Sequence, residues 1–314
     1  MSARTRETGK GAPVRPDRAR VTVPVARGGL LVAAIQAVRP RQWPKNLLVF
    51  AAPLAAASLG RDHGFGYALL AFVAFTAAAS SVYVVNDVLD VQRDRLHPTK
   101  RLRPIASGRL PRPAALILAA ICLAVCVLAI VLIGEPRMAV VVGAYIALSL
   151  VYSMSLKHVP GIELALVASG FVLRAVGGAV ATHVPPSGWF LTVCSLGALM
   201  VAIGKRYTEL SVLGDDAAAH RPVMRWYSLG LLRAGQRTAS IVMLAAYLFW
   251  ALSEDDLWMR GWHVASVVPL AFALFRFDRV TGLAEGRPVE DLIARDPMML
   301  CCEVTWLTMF TVGL

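Results

Sequence analysis

GFGYALLAFVAFTAAASSVYVVNDVLDVQRD, residues 64–94, opens as an apolar run long enough to cross a bilayer and closes on three aspartates. On a helix, Asp87, Asp90 and Asp94 stand at i, i+3 and i+7, so their side chains leave one face within about 60° of one another. Carboxylates that close repel each other, and each costs roughly 2.5–3.5 kcal/mol near the lipid. A divalent cation or a cationic substrate among them offsets that cost. The stretch Lys100-Arg101-Leu102-Arg103-Pro104 follows. Acids for a metal beside bases for an anion point to a metal-bound phosphate or diphosphate at a membrane surface.

Working outward, the whole chain fits a membrane. Of 314 residues, 57% are hydrophobic and only 17% charged, below the roughly 25% charge of soluble proteins, and mean hydropathy is +0.61. Nine apolar stretches emerge, at about 42–60, 64–88, 113–133, 137–155, 161–182, 188–204, 235–252, 262–276 and 298–314. Each is near the length a bilayer asks of a helix. A shorter apolar run, 29–38, reads as an interfacial helix. Residues 1–27 are polar and basic without a signal-peptide pattern and read as a disordered cytoplasmic tail. Residues 28–314 read as a single intramembrane domain. The expected fold is therefore all-α: a polytopic bundle of about nine transmembrane helices.

The net charge of +12 does not indicate nucleic acid, because the bases lie between apolar stretches, as topology signals do. Lys and Arg gather after the even-numbered stretches, seven of them between Arg93 and Arg112, and are sparse after the odd-numbered ones. That pattern places the N-terminus and the even-numbered connections in the cytoplasm and the C-terminus outside. Asp87, Asp90, Asp94, the basic run 95–112, Tyr152 to Lys157 and Lys205 to Glu209 then share one cytoplasmic rim. A pocket opening inward fits this better than a through-pore. The five cysteines lie in apolar runs without a Cys-x-x-Cys pair and read as small core residues. Glu254-Asp255-Asp256, on the other side, reads as a solvated loop.

The Asn86-Asp87-x-x-Asp90-x-x-x-Asp94 run resembles the first aspartate-rich motif of the UbiA superfamily of intramembrane prenyltransferases. Arg39-Pro-Arg-Gln-Trp-Pro-Lys-Asn46, His97-Pro-Thr-Lys-Arg-Leu-Arg-Pro104, Tyr152-Ser-Met-Ser-Leu-Lys-His158, Gly170-Phe-Val-Leu-Arg174 and Gly204-Lys-Arg-Tyr-Thr-Glu209 are similar to segments of decaprenyl-phosphate phosphoribosyltransferases within it. The likeness runs from about residue 36 to the C-terminus and is weakest over 210–234. It implies a UbiA-like bundle in the plasma membrane that uses Mg²⁺ to join 5-phosphoribosyl 1-diphosphate to a polyprenyl phosphate, releasing diphosphate. The product leads to the arabinose donor of actinobacterial cell walls.

The resemblance implies Asp87, Asp90 and Asp94 as metal ligands, with Asn86 beside them. The superfamily's second acidic cluster is missing. In its place stand Tyr152, Lys157 and one acid, Glu163, which suits a donor carrying a diphosphate and a separate 5-phosphate. Lys157 reads as a phosphate clamp, and Glu163 as its partner or as a support for ribose hydroxyls. Arg174, inside an apolar stretch, is expected to face lipid phosphate or a structural acid. Lys45, Lys100, Arg101, Arg103, Lys205 and Arg206 complete the candidate substrate contacts, with a plain Lys205–Glu209 salt bridge as the ordinary alternative. Oligomerisation stays open. A prenyltransferase acting on an aromatic acceptor is the rival within the superfamily, and a cation transporter the rival outside it.

Overall fold

The computed structural model describes residues 29–61, 63–283, 289, 293 and 295–314, and among these every regular element is helical. The N-terminal tail read from residues 1–27 lies outside the described residues. Helix α1 (Leu30–Ala37) occupies the short run expected at the interface. The first long apolar stretch departs from expectation. Instead of one α-helix over 42–60, the chain forms a 3₁₀ segment, Pro40–Phe50, and then a short α2 (Ala51–Ala55). Pro44 explains this locally, since it lacks the N–H an α-helix needs and its ring collides with the preceding turn.

Helix α3 (Gly64–Leu89) is the centre of the bundle. Its 26 residues reach about 39 Å, more than the roughly 30 Å hydrocarbon layer. The end bearing Asn86 and Asp87 therefore emerges at a rim, where α4 (Val91–Leu96) continues it. Small residues, Ala71, Ala74, Ala77, Ala78 and Ser80, are buried along α3 and let neighbouring helices approach closely. Around it pack α5 (Arg112–Ile133), α6 (Pro136–Met154) and α7 (Ile162–Ala181). At Gly178 of α7 an added Cβ would collide with the Val49 carbonyl, so the helix rests directly on the 3₁₀ segment. Helix α5 turns the other way: Ile117, Val131 and Leu132 are exposed, as a lipid-facing surface requires.

The second half comprises α8 (Gly188–Leu213), the short α9 (Ala217–His220), α10 (Leu229–Leu252), α11 (Leu257–Gly282) and α12 (Pro297–Val312). Side-chain caps fix several starts: Ser187 accepts from Phe190 N, Ser228 from Leu231 N and Asp296 from Met299 N, each satisfying an amide a helix start leaves open. Asp256, of the acidic trio Glu254-Asp255-Asp256, caps α11. The chain is a multi-pass membrane protein. Helices α3, α5, α6, α7 and α8 are each long and apolar enough to cross a bilayer. The other four expected stretches are helical as well. Of these, α10 and α11 are interrupted by arginines, and α12 is a shorter apolar helix. All five cysteines are free.

Candidate active site

Helix α3 stops at Leu89, and Asp90 (φ −88°, ψ 5°) joins it to α4. The three aspartates then separate into a pair and a single residue. Asp87 and Asp94 are buried, while the Asp90 side chain is 40% exposed and, among the described residues, meets only the exposed Arg93, at 3.4 Å. Arg103 bridges the buried pair, its Nη1 donating to Asp87 Oδ1 at 2.9 Å and to Asp94 Oδ2 at 2.8 Å. Arg39 donates to Asp87 Oδ1 at 2.6 Å and lies over the Tyr83 ring. The single-face triad read from helical spacing is thus corrected. Two acids are neutralised by two arginines, and the third faces outward.

The 97–110 loop sets this arrangement. Ile105 and Leu110 bury beside α3, His97 Nδ1 accepts from Thr99 N and Lys100 N, and Arg95 donates to Ala106 O. Lys100 and Arg101 stay exposed on a 3₁₀ turn, whereas Arg103 turns inward.

A second cluster lies beside the first. Asn86 Nδ2 donates to Ser153 Oγ at 2.9 Å, which ties the end of α3 to the end of α6, next to Tyr152. Glu163, in the first turn of α7, is fully buried. Arg206 of α8 holds it as a fork, Nε to Oε1 at 2.7 Å and Nη2 to Oε2 at 2.8 Å. Arg206 also reaches Glu209 Oε2 at 2.6 Å. Arg221, from the segment between α9 and α10, touches Glu163 Oε2 and Tyr152 Oη, each at 3.3 Å. Tyr227 Oη accepts from Gly161 N at 2.9 Å. Burial raises the Tyr227 phenol above its ordinary pKa, so it stays neutral.

Two further expectations are corrected here. Glu163 pairs with Arg206 and Arg221 rather than with Lys157, and Glu209 pairs with Arg206 and Arg221. Lys205 is exposed. Lys157 is half-buried on a 3₁₀ turn and makes no hydrogen bond or ion pair among the described residues, which leaves its ammonium available.

Arg174 answers its question in a third way. It is buried and donates to Asn46 Oδ1, 128 residues away in sequence, at 2.6 Å, to Tyr145 Oη at 3.0 Å and to Gly170 O at 2.6 Å. Asn46 in turn donates to Thr76 Oγ1. Among the described residues no acid pairs with it, and it is 5% exposed. It fastens the 3₁₀ segment to α7, with the Tyr145 ring beneath its guanidinium. Lys45, half-buried, is the neighbour of Asn46.

Among the described residues no three acids, cysteines or histidines already form a metal cage. The donor chemistry still fits Mg²⁺, because Asp87, Asp90 and Asp94 supply only hard oxygens. Asp90 offers its carboxylate without displacing a buried partner.

Residues 47–288 match the UbiA prenyltransferase family. This chain belongs to that family. As a UbiA member it is 40% identical over 299 residues to decaprenyl-phosphate phosphoribosyltransferase of Mycobacterium tuberculosis, covering 93% of this chain and 96% of that one. It is 38% identical to the protein of that name in Corynebacterium glutamicum, over 87% of this chain and 84% of the relative. Its fold is that of a UbiA homolog from Archaeoglobus fulgidus bound to GPP and Mg2+, with a TM-score of 0.63 at 15% identity, over 90% of this chain and 98% of that one.

Several residues that build the site were not among the candidates read from the sequence: Arg39, Asn46, Tyr145, Ser153, Arg221 and Tyr227. Arg39 and Asn46 bound a stretch that the family resemblance singled out, without a role assigned to either. Arg221 had no signal beyond its charge.

Proposed function

We propose that this chain transfers the 5-phosphoribosyl group of 5-phosphoribosyl 1-diphosphate to a polyprenyl phosphate, decaprenyl phosphate foremost, releasing diphosphate. The reaction serves cell-wall arabinan precursor synthesis. The observation that carries this reading is the asymmetry of the rim. One end is acid-rich, at Asp87, Asp90 and Asp94; at the facing end both acids, Glu163 and Glu209, are already held by Arg206, with Tyr152 in reach of the same guanidinium and Lys157 on the turn before α7. A donor with a diphosphate at one carbon and a monophosphate at another matches that division. The names carried by relatives at 38–40% identity support it.

Asp87, Asp90 and Asp94 would hold Mg²⁺, which supplies charge neutralisation to the departing diphosphate. Arg39 and Arg103, with side chains 31% exposed, balance the charge of Asp87 and Asp94 and can turn to phosphate oxygens. Lys157 holds the 5-phosphate. Tyr152, tied toward the acids through Ser153 and Asn86, orients the ribose between the two clusters. The lipid phosphate oxygen attacks the anomeric carbon as the bond to diphosphate breaks, with inversion. A phosphate monoester is already anionic near neutral pH, so no strong general base is needed. Positioning and charge stabilisation supply the rate. The site opens to the cytoplasm from the plasma membrane, with the N-terminus inside and the C-terminus outside after nine crossings.

Purified full-length protein in detergent, given Mg²⁺, labelled donor and polyprenyl phosphate, tests this directly. Label should move into the lipid phase. Label that stays in water, or product made instead from a prenyl diphosphate and an aromatic acceptor, overturns it.

A further inference from the structure

Arg221 and Arg206 reach the same two acids but hold them very differently. Arg206 is buried, with all three nitrogens within 2.8 Å of a carboxylate oxygen. Arg221 lies at 3.3 Å from Glu163 Oε2 and at 3.6 Å from Glu209 Oε1, with 27% of its side chain exposed. Each of those acids already has a shorter bond to Arg206. Arg221 can therefore leave both without stranding either.

Its backbone is well anchored. Val223 and Met224 are buried on the 3₁₀ turn that follows, and Tyr227 accepts the Gly161 amide. A fixed base thus carries a loosely held guanidinium, and that guanidinium touches Tyr152 at 3.3 Å. From Tyr152 the bonded path runs through the neighbouring Ser153 to Asn86, next to Asp87.

We propose that Arg221 is a substrate-binding residue: an arm that releases Glu163 and Glu209 and closes its planar fork on a phosphate monoester of the substrate. The inference rests on the transfer reading above. A guanidinium fork matches phosphate oxygens in geometry as well as charge, which a lysine does not reproduce. Both substrates of that reaction carry such a monoester, one on the ribose and one on the lipid, and kinetics tell them apart.

Initial rates of the full-length enzyme are measured against each substrate with the other saturating. Arg221→Ala raises the KM for the substrate whose phosphate it holds by about tenfold or more, with kcat and the other KM changed much less, because binding rather than chemistry is lost. Arg221→Lys falls between the two. Unchanged KM values in an active variant overturn the arm while leaving the transfer reading intact, whereas a wild-type enzyme without transfer removes both. If Arg221→Ala does not fold, wild-type protein is labelled with phenylglyoxal and read by mass spectrometry. Saturating donor or saturating polyprenyl phosphate should shield Arg221, and equal labelling with and without each overturns the proposal.

Discussion

The two acid–arginine clusters at the rim contain similar groups and differ in how far water reaches them. At the end of α3, Arg39 and Arg103 keep 31% of their side chains exposed while holding Asp87 and Asp94. At the start of α7, Glu163 is 0% and Arg206 3% exposed. Exposed partners exchange readily, because water and incoming ligands replace them at little cost. A sealed pair does not, since separating it leaves a bare charge in a medium that solvates it poorly. In the proposed reaction the first cluster is the one that a metal and a diphosphate would rearrange. The other is a joint that holds α7 to α8 and presents Tyr152.

Asp87→Asn should break the comparison most sharply. Transfer should fall by at least about a hundredfold, the scale seen when one charge-stabilising group is removed, while the unfolding midpoint in detergent barely moves. Near-normal transfer would take Asp87 out of the metal site. Glu163→Gln should do the reverse, acting first on the fold. Arg206 keeps Glu209 but loses its buried charge partner, at a cost of up to about 3–5 kcal/mol, read as a drop in melting midpoint. Adding Arg206→Met to Glu163→Met should recover most of that stability, and a double mutant as unstable as the single would show that the joint is more than an ion pair. Arg174→Lys keeps the charge and loses the fork on Asn46 and Tyr145, with an expected cost of about 1–3 kcal/mol, measurable by thermal melting. An unchanged midpoint would make the mid-bundle network dispensable. The smallest effect is expected at Asp90→Asn, which should raise the Mg²⁺ needed for half-maximal rate by about tenfold, a loss of about 1.4 kcal/mol. Extra Mg²⁺ should restore the rate. If it does not, Asp90 belongs with the buried pair.

Much of this was legible in the chain. Apolar length marked where helices run, and the aspartates with the bases after them marked a charged cluster that the structure does bring together at Asp87, Asp94 and Arg103. Pairing across helices was not legible. Spacing along α3 cannot say that Arg103 bridges two acids, or that Arg39 reaches Asp87 from 48 residues away, because the first depends on how the 97–110 loop folds back and the second on the junction before the 3₁₀ segment. Arg174 shows the same limit. A cation in an apolar stretch suggests an acid partner, but an amide, a phenol and a backbone carbonyl can share the work. The turn at Asp90 was hidden too, since nothing in Leu89-Asp90-Val91 breaks a helix by propensity.

The 3₁₀ segment Pro40–Phe50 places a demand on the chain that composition alone does not express. At three residues per turn, Asn46 and Val49 lie on one edge, toward Thr76 and Gly178, while Lys45 and Leu48 lie on the next. Leu48 helps line an apolar cavity of about 360 Å³ with Trp250 and Phe310. Adding or deleting a single residue between Pro40 and Asn46 would turn everything beyond it by a third of a revolution relative to Arg39. Each edge would then face the wrong neighbour. In this stretch the count of residues is as constrained as their identity, and homologous chains should vary its letters while keeping its length.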